Sequence, residues 1–155
     1  MANIKIIKYT DEYSLQLADL LKELSKELYG AGTVNLKAFV ERHWAIYLAV
    51  VDDKVVGLSS YSFNDYCGLR LPTMGNTYLY MTPQYRNSKA MYLLGMQFGQ
   101  VSESTNLPIE TYYASDKSRL LGKRMKSTFL YDVYEYAVDD VKVAFDKVKK
   151  YIPLT

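Results

Sequence analysis

Apolar residues recur at helical spacing over residues 14–29, where Leu17, Leu20, Leu21, Leu24 and Leu28 fall on one face. Gly30 follows where a helix stop belongs. A shorter helix is predicted over 36–43, with Leu36, Phe39 and Val40 inward and Asn35 as its cap. Before these, residues 4–9 (IKIIKY) alternate enough to form a first strand, and Thr10-Asp11 is placed to cap the first helix. Residues 44–51 (WAIYLAVV) and 55–63 read as a hairpin around the tight turn Asp52-Asp53-Lys54. Gly57 within the second strand implies a bulge or a close backbone approach. Residues 64–75, with Gly68, Pro72 and Gly75, read as a loop.

The pattern changes sharply at residues 76–100, NTYLYMTPQYRNSKAMYLLGMQFGQ. Residues 76–82 suit a pleated strand, and Pro83 cannot donate to a ladder, so the strand stops there. A helix of about four turns is predicted next, with Leu94, Phe98 and Val101 as its inward stripe. Asn106-Leu107-Pro108 breaks it. A strand over 109–114, a helix over 117–126 capped by Ser115-Asp116, and a strand over 128–138 come next. The chain closes with a helix over 139–152, headed by Asp139-Asp140. This order, β α α β β β α β α β α, predicts a mixed, mostly antiparallel sheet with flanking helices.

Composition narrows the classes. The 155 residues suit one domain, with a core over 3–138 and a C-terminal helix over 139–152. With 49% hydrophobic and 23% charged residues the chain reads as an ordinary soluble protein. No apolar run approaches the ~20 residues of a membrane span, and residues 1–5 are not a secretion signal. The single cysteine, Cys67, excludes an internal disulfide and points to a reducing, cytoplasmic compartment. A net charge of +2 makes no global case for nucleic acid. The sixteen tyrosines suit half-buried strands, or an aromatic binding surface.

A strand that feeds directly into a helix start is a place to hold an anion, because first-turn amides lack partners and the dipole is positive there. At this junction Met81-x-Pro83-x-Tyr85-Arg86, with Leu94 eight residues beyond the arginine, resembles motif A of the GNAT family of N-acetyltransferases. The element order over about residues 3–138 agrees with that resemblance. The family's loop after the arginine grips the pyrophosphate of acetyl-CoA. Lys89 and Met91 stand here where the family carries its two key glycines, so a side-chain charge and added bulk replace backbone freedom.

The resemblance implies a site. The backbone of Tyr80, Met81 and Thr82 would meet the pantetheine arm. Amides from Asn87, Ser88, Lys89, Ala90 and Met91 would wrap the pyrophosphate, with Arg86 or Lys89 adding charge. The helices over 14–29 and 36–43, with their loop, would wall the acceptor site. Many relatives place a catalytic glutamate at the position held by Tyr78, a phenol with an ordinary pKa near ~10 and a poor base. Glu110 in the neighbouring strand is the substitute candidate. The usual general acid is absent, and Tyr131 or Tyr134 is its candidate replacement; Arg124 stands in the usual place. Lys117, Arg119, Lys123, Arg124 and Lys126 crowd one predicted helix. They suit a solvated face, the 3′-phosphate of CoA through Lys117 and Arg124, or a nucleic acid. His43 and Cys67 have no metal-ligand spacing and read as structural, with no metal expected.

Taken with the resemblance, this implies an acetyl-CoA-dependent N-acetyltransferase. A primary amine on a small molecule or a protein would attack the thioester directly in a ternary complex. The alternative is a catalytically inactive module of the same fold that acts on a protein or nucleic-acid partner. The glycine-poor loop and the tyrosine content are similar to phage-encoded members. The final helix suits packing or a homodimer.

Overall fold

The computed structural model describes residues 2–111 and 138–148. The chain parts into two compact units, residues 1–112 and 113–155. In the second, the described element is helix α5 (Val138–Val148), with Asp139 and Asp140 in its first turn and Lys147 in its last, as the helix dipole favours. The predicted helix over 117–126 and strand over 128–138 lie outside the described residues, apart from Val138, which opens α5.

The first unit carries a five-stranded sheet in the order β1-β2-β3-β4-β5. The strands are β1 (Ile4–Lys8), β2 (Ala45–Val51), β3 (Lys54–Asn64), β4 (Thr73–Met81) and β5 (Ile109–Thr111). Neighbours are antiparallel from β1 to β4, and β5 runs parallel to β4. The β2–β3 turn is Asp52-Asp53, both with positive φ (47° and 66°), the geometry that matches strand twist in a two-residue hairpin. At Gly57 the ladder slips by one residue, Ala49 facing Gly57 and Val50 facing Val55. A Cβ there would also sit 2.9 Å from the Tyr80 carbonyl oxygen, so both expectations for this glycine hold.

Helix α1 (Ser14–Tyr29) forms where the leucine period predicts, and Gly30 (φ 71°) closes it in the left-handed region. Leu17, Leu20, Leu21 and Leu24 bury against Ile46, Leu48, Val50, Val55, Leu58 and Tyr80. Leu28 does not join them: the last turn runs past this cluster and leaves it 45% exposed. Helix α2 (Leu36–Arg42) starts at Asn35, whose Oδ1 accepts from the Ala38 amide at 3.0 Å. On the opposite face, α3 (Lys89–Gly95) sets Ala90 and Leu94 against Ala49, Val51, Val56 and Met81. α4 (Gln97–Thr105) sets Val101 against Tyr61 and Met74.

Two boundaries differ from the sequence expectation. The single four-turn helix is two, parted at Met96, where Gly95 and Gly99 weaken it. β4 begins at Thr73, three residues early, because Thr73, Met74 and Gly75 pair with Asn64, Phe63 and Ser62. None of the described helices is long and apolar enough to cross a membrane.

Candidate functional site

The site is built around β4. Ser60 faces Tyr78 while Tyr61 faces Asn76, so Thr77 is an extra residue bulged out of the ladder. An inserted residue exchanges the faces of the rest of the strand. Met74 packs with Tyr61 and Val101 on the α3–α4 side, whereas Tyr78 and Tyr80 pack with α1 and α2. Asn76, 3% exposed, holds the bulge. Its Nδ2 donates to the Ser60 carbonyl and the Tyr78 carbonyl, both at 3.1 Å, and to Ser59 Oγ at 3.2 Å. Its Oδ1 accepts from Thr111 Oγ1 at 3.2 Å.

Beyond the bulge, the Thr82 amide donates to the Val56 carbonyl at 2.9 Å, so Thr82 turns its backbone toward β3. Tyr80 does the same by the two-residue alternation of an antiparallel ladder, and Leu79 and Met81 present their N–H groups to the opposite edge. Of the three backbone positions assigned to the pantetheine, Met81 is the one aimed away from β3. Leu79 joins it, and only the ladder register brings it to notice. Described pairing with β5 covers Met74, Gly75 and Asn76.

The turn after β4 is tight. Pro83–Tyr85 form a turn of 3₁₀ helix, and Ser88 caps α3 by accepting from the Met91 amide at 3.5 Å. Asn87 has φ 64°, in the left-handed region. Asparagine enters this region with little strain, so the turn forms without a glycine. We expect Asn87→Val to be ~1–2 kcal/mol less stable than Asn87→Gly, which lacks the same side-chain contacts but tolerates the positive φ, read by denaturant titration. Met91 packs, partly buried, against the Ala49, Val51, Val56 and Met81 cluster, so part of its bulk is turned from the mouth of the loop. Lys89 is exposed in the first turn.

Arg86 points back to α1. Its Nε donates to the Met81 carbonyl at 2.9 Å, and its Nη2 holds both carboxylate oxygens of Glu27 at 2.9 and 2.7 Å. The guanidinium also lies 5.4 Å from the centre of the Tyr80 ring. The hydrogen bond from Arg86 holds the Glu27 carboxyl below the usual range. Arg86 therefore ties the turn to α1, and Lys89 is the cation left facing outward at the helix start.

Among the described residues, two clefts border α1. One of about 460 Å³ lies between α1 and the Thr82-Pro83-Gln84 turn, where Asp19 and Glu23 outnumber Lys54 on the wall, a balance that disfavours phosphate. The other, about 220 Å³, lies between α1, α2 and β4, where Tyr78 forms its wall together with Leu21, Leu24 and Phe39. The Tyr78 hydroxyl lies 3.4 Å from that of Tyr29. This hydrogen bond, with burial, pushes Tyr78 up to about 12, so it keeps its proton at neutral pH and acts as a hydrogen-bonding phenol.

Glu110 accepts from the Tyr66 hydroxyl and from Thr73 Oγ1, 6% exposed. It pairs with Gly75, three residues before Tyr78, on the order of 10 Å along the strand. It clasps the 65–72 loop and does not line the Tyr78 cleft. Tyr131, Tyr134, Lys117 and Arg124 lie outside the described residues.

His43 sits behind the cleft, its ring 4.3 Å from Phe39 and 6.4 Å from Tyr78. Nδ1 donates to the Phe39 carbonyl at 2.6 Å, which leaves the lone pair on Nε2, a buried atom without a hydrogen-bond partner among the described residues. Burial pushes the imidazole pKa down. As pH falls below the unfolded value near ~6.5, the unfolded chain takes the proton first, so stability is full above that pH and lost below it. Urea unfolding at pH 7.5 and 5 should show this loss in the wild type and a smaller one in His43→Gln; equal losses would contradict a buried neutral imidazole.

Neither a protein-family model nor a curated protein sequence matches the chain. Solved structures do. An aminoglycoside N-acetyltransferase in complex with CoA superposes with a TM-score of 0.69 at 13% identity, covering 88% of this chain and 95% of that one. The fold is that of the N-acetyltransferases. A Trypanosoma brucei acetyltransferase (TM-score 0.68, 14% identity, 88% and 100% covered) is similar to the chain in the same way. So is a ribosomal-protein-alanine N-acetyltransferase from Brucella melitensis (0.67, 14%, 86% and 98%). In this acetyltransferase fold, the bulged β4, its outward amides and the Tyr78 cleft lie together in the first unit.

Proposed function

We propose that the protein is a GNAT-type N-acetyltransferase, using acetyl-CoA to acetylate a primary amine. The observation that carries this reading is the meeting, on one strand, of an amine-sized cleft at Tyr78 and outward amides at Leu79 and Met81. The CoA complex of a structural neighbour supports the choice of cofactor. The residues present fit it: Asn87 takes the left-handed turn, Met91 packs partly buried against the sheet, and Lys89 faces out.

Acetyl-CoA would supply an activated acyl thioester and depart as a thiol. The amides of Asn87, Ser88, Lys89 and Ala90, with the Lys89 ammonium, would hold the diphosphate. The Leu79 and Met81 amides are donors for the pantetheine arm and for the thioester oxygen where charge gathers. The apolar cleft favours the neutral, nucleophilic form of the amine by desolvation, so proton loss to solvent needs no strong carboxylate base. Tyr78 orients the amine by its hydroxyl. Positioning of two reactants then supplies much of the rate.

Incubation with acetyl-CoA and a panel of primary amines should release free thiol in step with acetylated amine, read by mass spectrometry. Thiol release equal to that of buffer across the panel would overturn the proposal. The second reading, a non-catalytic module of this fold, is favoured by Arg86, whose charge is committed to Glu27. It predicts no binding of acetyl-CoA at all.

A further inference from the structure

The α1–α2–β4 cleft has a chemistry of its own, and resting on the acyl-transfer reading we infer the class of amine it accepts: a small monoamine with an apolar, aryl or alkyl body, and not a polycation. No charged side chain lines the cleft among the described residues. Its body is Leu21, Leu24, Val34 and Phe39. Most of its polar side chains are already engaged locally. Ser25 Oγ donates to the Thr33 carbonyl at 3.3 Å, and Thr33 Oγ1 donates to the Ala31 carbonyl at 3.4 Å. Asn35 caps α2. The Asn35 cap uses its Oδ1 and leaves Nδ2, a donor that cannot take an ammonium, so an amino group is met by the hydroxyl pair of Tyr29 and Tyr78, 3.4 Å apart.

Such a lining holds one amino group on two neutral oxygens and a greasy body against leucine and phenylalanine. A second or third ammonium would enter without a carboxylate to meet it and would lose its hydration uncompensated. Size agrees: about 220 Å³ is below the ~300–1,000 Å³ of pockets for drug-sized ligands. Solved structures of this fold include aminoglycoside acetyltransferases, one in complex with sisomicin. The chain shares their fold, while its cleft suits a different acceptor.

The test is direct binding to the full chain without an acyl donor, by titration calorimetry with and without CoA. The probes are butylamine, hexylamine, phenethylamine, spermidine and sisomicin. Phenethylamine and hexylamine should bind at least tenfold tighter than spermidine or sisomicin. Each methylene from butylamine to hexylamine should tighten binding about three- to fourfold. Tyr78→Phe should weaken phenethylamine about fivefold or more and leave spermidine unchanged. Val34→Asp, which adds a carboxylate to the wall, should move the preference toward spermidine and serves if Tyr78→Phe folds poorly. A polycation that binds tighter than the monoamines, or binding by no amine at millimolar concentration, overturns the inference. Monoamine binding without acetyl transfer would leave this inference standing and remove the enzymatic reading. Transfer confined to sisomicin and spermidine would do the reverse.

Discussion

Asn76→Ala lowers the stability of the chain by ~2–4 kcal/mol. The wild-type amide is almost fully buried and donates to two main-chain carbonyls, those of Ser60 and Tyr78, across the bulge. Removing it strands both acceptors and the Thr111 hydroxyl, and each buried unsatisfied group costs ~1–3 kcal/mol, part of which water entry recovers. Asn76→Asp is at least as damaging, because a carboxylate faces the two carbonyl oxygens it replaces a donor for. The midpoint of thermal unfolding falls by roughly 2–4 °C per kcal/mol in a chain of this size. The same variants weaken acetyl-CoA binding, since the bulge sets the register that aims Leu79 and Met81 outward. A fall in stability below ~1 kcal/mol would mean that the bulge holds without this side chain.

Acetyl-CoA at a hundred times its dissociation constant stabilises the folded chain by ~2.7 kcal/mol, raising its melting midpoint by about 5–10 °C. Lys89→Glu reverses the charge at the first turn of α3 and abolishes most of this shift, while Lys89→Arg retains it. The comparison isolates charge, because Lys89 is exposed and its replacement leaves the core of Ala90, Leu94 and Met81 untouched. A midpoint that rises equally with Lys89→Glu would remove the loop from the account of cofactor binding. Dephosphorylated CoA gives nearly the same shift if the diphosphate is the group held here.

How far the sequence reaches is clear from particular residues. The leucine period over 14–29, Gly30 behind it, Asn35 ahead of α2 and Asp52-Asp53 between β2 and β3 each act through local physics, and each holds in the structure. The strand-to-helix junction is legible for the same reason, since proline ends a ladder; the Ser88 cap of α3 is seen only in the structure. What escaped the sequence depends on distant partners. Thr77 bulges because β3 and Asn76 hold it, and a one-residue slip leaves no mark in a strand whose polar and apolar residues do not strictly alternate. Arg86 finds Glu27 59 residues away. Met91, bulky where the resembled family carries glycine, packs partly buried because the sheet beneath α3 offers it a cluster. The break at Met96 arises from two glycines whose weakening a periodicity argument passes over. Glu110 was a fair candidate for a base by strand neighbourhood, yet Tyr66 and Thr73 claim its carboxylate.

A crystal structure of the full chain grown with excess acetyl-CoA tests the central claim most directly. The diphosphate should lie on the amides of residues 87–90 with Lys89 beside it, and the pantetheine should run along the outward edge of Leu79 and Met81. A structure in which this junction is vacant at saturating ligand, or in which the cofactor lies in the cleft of Asp19 and Glu23, would contradict the account.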